Sequence, residues 1–140
     1  MNKYVLPAAF SIRYGTIDQE HGQLIGQLNV LSATAARGAA AEVRQQAGAF
    51  TRALREHFAN EEALMAELGY PRLTEHREHH GQCLARIAGT LDRACAQGQI
   101  EGTEIDAIFS LLVDTVARVD LYFEEYLIGI GLVSDHPKLS

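Results

Sequence analysis

The stretches His57-Phe58-Ala59-Asn60-Glu61 and His76-Arg77-Glu78-His79-His80 each place two metal-binding side chains four residues apart. On an α-helix that spacing lays both on one face, one turn apart. Only a short Gly69-Tyr70-Pro71 turn separates the two stretches, so two antiparallel helices would bring His57, Glu61, His76 and His80 into one cluster. Two further polar residues interrupt apolar helical stripes: His21, just ahead of Leu24 and Leu28, and Asp120, close to Val116 and Val119. Polar groups facing a core are costly unless satisfied. A cluster of imidazoles and carboxylates suits iron, manganese or zinc, and helix bundles build dinuclear sites from such inward-facing sets, with carboxylates bridging the metals.

The elements that must hold these residues are helical. Strand alternation is scarce, helical spacing dominates, and the three prolines fall in the N-terminal arm, the central turn and the C-terminal tail. The spacing predicts helices over about 18–36 (Leu24, Leu28, Leu31), 40–68 (Val43, Phe50, Leu54, His57, Glu61, Leu64), 72–96 (His76, His80, Leu84, Ile87, Leu91) and 103–128 (Ile105, Ile108, Leu112, Val116, Val119). Short connections imply antiparallel neighbours, hence an all-α, up-down-up-down four-helix bundle forming one domain over residues 1–140. Residues 1–17 are expected to form an arm packed across it.

Composition narrows the function classes. With 140 residues the chain can bury a core. A net charge of −6 and no basic run argue against nucleic acid. No apolar stretch is long enough to span a membrane, and the N-terminus lacks a signal-peptide core, so a cytoplasmic location is expected. Cys83 and Cys95 would stand roughly 18 Å apart along one helix, which excludes a disulfide between them and leaves two free thiols.

The runs Ile17-Asp18-Gln19-Glu20-His21, His57-Phe58-Ala59-Asn60-Glu61-Glu62, Met65, Gly69-Tyr70-Pro71 and His76-x-x-x-His80 resemble the hemerythrin family, in particular the bacterial hemerythrins, from about Gly15 to Leu132. The resemblance implies the antiparallel four-helix bundle and a non-heme centre of two iron ions. His21 and His57 would hold one iron, His76 and His80 the other, and Glu61 and Asp120 would bridge them together with an oxo or hydroxo group. A further family histidine, on the fourth helix, corresponds to Thr115 here, and a family tryptophan to Leu111. Thr115, Leu111, Leu112 and Val116 would lie beside the oxygen pocket.

With Thr115 in place of a histidine, the iron on His76 and His80 would hold an open or water-filled position. Weaker iron retention and faster autoxidation would follow, with Thr115→His slowing the latter. An exogenous anion or Glu124 could fill the gap. The implied role is oxygen binding for sensing, storage or delivery, with altered redox behaviour. Molecular oxygen is the expected ligand, nitric oxide or peroxide its alternatives, and a protein partner could take part in delivery or signalling. Two other roles stand beside it: a di-iron peroxidase-like or oxidase-like enzyme, and a regulatory or iron-handling module with a degenerate site. A zinc hydrolase is the weaker rival, for want of a separate general base in the motif. His79, about 100° round the helix from His80, is expected in solvent. His136, in the tail, is not expected to ligate, and Glu56, Glu62 and Glu124 are expected to be solvated or to partner a histidine N–H.

Overall fold

In the computed structural model, residues 3–134 are described, with the side chain of Ala9 excepted; His136 and Pro137 lie outside them. Helices α1 (Gly15–Ala36), α2 (Ala40–Glu67) and α3 (Leu73–Gln97) are followed by α4 (Gly102–Thr115), a π-helical turn (Val116–Asp120) and α5 (Leu121–Gly129). The last three form one continuous fourth rod. α1 packs on α2 and α4, and α3 packs on α2 and α4, which closes an antiparallel four-helix bundle. Among the described residues there is no strand.

The turns follow from local chemistry. Between α2 and α3, the Tyr70 N–H bonds the Met65 carbonyl at 2.9 Å and the Gly69 N–H bonds that of Ala66 at 3.2 Å, a Schellman-type stop. At the other end of the bundle Gly98 closes α3 with φ +71°, and a Cβ there would lie 2.8 Å from the Ala40 Cβ. Only glycine combines that backbone angle with that approach. Glu101 and Glu104 form a reciprocal capping box at the start of α4.

Two apolar clusters fill the bundle. The larger includes Leu28 and Leu31 of α1, Phe50 and Leu54 of α2, Ile87 and Leu91 of α3, and Ile105 and Ile108 of α4. The smaller includes Ile12, Ile17, Met65, Tyr70, Phe123 and Leu127. Burying each large apolar side chain contributes about 1.5–3 kcal/mol. Between the clusters lies a layer of buried ionisable groups: His21, His57, Glu61, His76, His80 and Asp120. Helix packing on both sides therefore holds a polar layer that would not assemble alone.

The arm crosses α1 and α4. Tyr4 exchanges backbone bonds with the Asn29 side chain (2.7 and 2.9 Å), and its hydroxyl donates to Asp106 at 2.5 Å. Helix α1 starts at Gly15, ahead of the expected Asp18. The Asp18 carboxylate does not begin the helix; it accepts from the Ser11 hydroxyl (2.7 Å) and the Ile12 N–H (2.9 Å) and so ties down the arm. The π turn also departs from the periodicity. The Leu121 N–H bonds the Val116 carbonyl, an i→i+5 step, and the widened turn places Asp120 in the interior. Val119, expected on the core stripe, borders an outer cavity beside Arg118 and Tyr122.

Candidate metal centre

Each helix of the bundle supplies part of the polar layer: His21 from α1, His57 and Glu61 from α2, His76 and His80 from α3, and Asp120 from the end of the π turn. All six are buried, Glu61 completely. Their ligand atoms form two groups, His21/His57/Glu61/Asp120 and Glu61/His76/His80/Asp120, and within each group one ligand atom per residue lies within 4.8 Å of the others. The carboxylates belong to both groups because each turns one oxygen to each side. Glu61 Oε2 faces His57 Nε2 (3.4 Å) and His21 Nε2 (3.9 Å), while Oε1 faces His76 Nε2 (2.6 Å) and His80 Nε2 (3.1 Å). Asp120 Oδ2 faces His21 Nε2 at 3.0 Å and Oδ1 faces His76 Nε2 at 3.1 Å.

Hydrogen bonding alone does not account for this crowding. His21 Nδ1 and Nε2, Glu61 Oε2 and Asp120 Oδ1 are buried without an aligned hydrogen bond, although His21 Nε2 and Asp120 Oδ2 are close enough for one. Buried polar atoms are nearly always paired. Lone pairs converging without partners are the donor set a cation needs, and imidazole with carboxylate suits iron, manganese or zinc.

The charges are tuned in the same direction. Burial disfavours the cationic form of His76, but Asp120 and Glu61 outweigh it and push its pKa up to about 9. His21 is raised too, burial being overcome by Asp120 and Glu61. Asp120 is lowered well below the usual carboxylate range: burial opposes this, and the close approach of the His21 and His76 imidazoles, at 3.0 and 3.1 Å, prevails. Without metal, protons take the place of positive charge in the layer.

Outer carboxylates orient two of the imidazoles. His57 Nδ1–H donates to Glu20 Oε1 at 2.8 Å, and His80 Nδ1–H to Glu62 Oε2 at 2.7 Å, which leaves both Nε2 atoms facing Glu61. Such partners fix ring orientation and raise ligand basicity. Glu62 fits the expected histidine-partner role. Glu20 carries no such signal in the sequence: it precedes His21 on α1 but serves His57 on α2, a pairing across helices that no spacing encodes. Asn60 donates to its other oxygen at 2.9 Å. Phe58 stacks on His80, ring centroids 3.8 Å apart.

Beside the His21/His57 half is a chamber whose walls include Leu24, Ile25, Phe58, Leu112, Thr115 and Val116, with Leu6 of the arm as part of the lining. It leaves ≈ 20 Å³ for the centre of a water-sized guest, enough for one very small molecule. Leu112, Val116 and Thr115 border this chamber. Leu111, one residue from Leu112 and about 100° round the helix, borders a separate cavity with His79, Cys83, Asp114 and Thr115. His79 is half-buried rather than solvent-facing, its Nε2 3.3 Å from Thr115 Oγ1. Glu124 is buried rather than solvated and lies 3.8 Å from the Arg13 guanidinium. Cys83 is buried and Cys95 exposed, both free thiols.

Comparison with known proteins agrees with this geometry. A family model described as the hemerythrin HHE cation binding domain matches residues 13–125. A bacteriohemerythrin of Stenotrophomonas maltophilia (strain R551-3) is 36% identical over 81 residues, covering 56% of this chain and 51% of that protein. The match therefore spans about half the length of that relative. Among the described residues no helix is long and apolar enough to cross a membrane. With a bundle of four rods, a shared buried donor set and a family match over most of its length, the chain belongs to the hemerythrin family.

Proposed function

We propose that His21, His57, Glu61, His76, His80 and Asp120 hold two iron ions, and that the protein binds molecular oxygen in the adjoining chamber. The observation that carries this reading is the sharing of Glu61 and Asp120 between two four-residue donor groups. A mononuclear site would use one such group and leave two imidazoles buried with nothing to bind. Two ferrous ions would supply the two electrons that reversible oxygen binding needs.

The residues of this chain supply the rest. His21 and His57 present nitrogen donors on the chamber side, and Glu20 keeps the His57 ring turned inward. The carbon-rich wall around them favours an apolar diatomic guest, and ≈ 20 Å³ for the centre of a water-sized guest suits a very small one. This size limit favours oxygen or nitric oxide binding over turnover of larger molecules. Thr115 is the one polar wall residue outside the donor set. Its hydroxyl proton goes to the Leu111 carbonyl at 2.9 Å, but its oxygen can still accept a bond from water and hold it on the guest's side, which supports faster autoxidation than an all-carbon wall would give.

Anaerobic loading with ferrous iron tests the proposal. Two irons per chain, with a visible absorption band that appears under oxygen and vanishes on its removal, are expected. A loaded protein with no reversible band would overturn oxygen binding; steady consumption of peroxide with a reductant would replace it with an enzymatic role.

A further inference from the structure

Resting on the two-metal reading above, we infer that His79 is a fifth imidazole of the centre, moving from the Thr115 hydroxyl onto the ion held by His76 and His80. Among the described residues there are five histidines. Four belong to the two donor groups. The fifth, His79, is half-buried, and its imidazole ends 3.3 Å from Thr115 Oγ1. That threonine lines the same chamber as His21, His57 and Asp120. A half-buried imidazole held only by a long contact to a residue of the chamber wall is placed to ligate.

The two donor groups are equivalent in number: two imidazole nitrogens and one oxygen from each shared carboxylate. Metals of this kind commonly take up to six donors, so each ion would have positions to spare. The surroundings of the two groups differ. The His21/His57 group opens onto the carbon-lined chamber. On α3, His79 lies three residues after His76 and next to His80, and residues three apart share a helix surface. A fifth imidazole can therefore reach the second ion far more readily than the first.

His79 is also loosely held. Thr115 Oγ1 donates to the Leu111 carbonyl at 2.9 Å and so can only accept from His79 Nε2–H, over a long 3.3 Å contact. The rings of His57 and His80 are anchored at 2.8 and 2.7 Å by carboxylates. A cavity bordered by His79, Gln82, Cys83, Asp114 and Thr115 leaves ≈ 30 Å³ for the centre of a water-sized guest beside the ring, so the ring is not packed tightly on that side.

Cobalt(II) tests this without relying on oxygen chemistry. In the Co²⁺-loaded wild-type chain, each ligating imidazole gives one exchangeable, hyperfine-shifted N–H proton resonance. Five are expected, falling to four in His79→Gln. Release of one of the two ions to a chelator should be at least about tenfold faster in that variant, with recovery in His79→Gln/Thr115→His. Equal thermal midpoints of the metal-free proteins would show that the variant folds, and the count in the wild type needs no variant. Fewer than two cobalt ions per wild-type chain would overturn the two-metal reading and this inference together. Two ions with four resonances, and release unchanged by His79→Gln, would overturn the inference alone.

Discussion

Metal loading must expel protons, and the amount can be worked from the site. In the metal-free layer His76 has a pKa of about 9, because Asp120 and Glu61 overcome the effect of burial. At pH 7 the neutral, ligating form is then about 1% of the population, and freeing it costs about 2.7 kcal/mol. That is roughly a hundredfold loss of apparent affinity from this one residue. His21 is raised as well and steepens the dependence. Cobalt(II) affinity, measured by chelator competition between about pH 6 and 8.5, should climb by at least about one log unit per pH unit and flatten near pH 9. Loading in weak buffer at pH 7 should release at least about one proton per chain. Stability of the metal-free protein should show the opposite trend. The His76 contribution is fully present below its unfolded value of 6.5 and is lost as pH rises through about 9. The Asp120 contribution is present above 3.8 and is lost as pH falls below that value. Stability should therefore peak on the acid side of neutrality and move upward when metal is added. A pH-independent affinity with no proton release would refute the reasoning.

Other perturbations separate the parts of the account. Glu20→Gln and Glu62→Gln should each weaken metal retention by about 10- to 100-fold, with helicity by circular dichroism unchanged; equal retention would show that the outer carboxylates do not orient His57 and His80. Val116→Phe should fill the chamber, leaving two metals per chain but no oxygen-dependent absorption band. Thr115→Val should slow autoxidation of the oxygenated protein, followed as decay of that band. Gly98→Ala combines a strained φ of +71° with a Cβ 2.8 Å from Ala40 and should destabilise the fold by about 1–3 kcal/mol in urea melts, with metal stoichiometry intact.

Much of this molecule is written in local patterns. Leu24, Leu28 and Leu31, or Ile105, Ile108 and Leu112, repeat at helical spacing and are buried in the bundle. The His57/Glu61 and His76/His80 pairs are legible for the same reason, since a four-residue step is one helical turn. What escaped depends on distance through space or on a break in regularity. No proline or glycine marks the π turn at Val116–Asp120, yet it turns Asp120 inward and Val119 outward; such turns often sit at functional sites. Glu20 reaches across to His57, and His79 reaches across to Thr115. Neither contact follows from positions along one helix. Leu111 and Leu112 border different cavities because neighbours on a helix face different sides.

A crystal structure of the iron-reconstituted protein, with anomalous scattering measured at the iron edge, tests the central claim most directly. Two anomalous peaks are predicted, one among His21, His57, Glu61 and Asp120 and the other among His76, His80 and the same two carboxylates. A single peak, or density outside this layer, would contradict the shared dinuclear site.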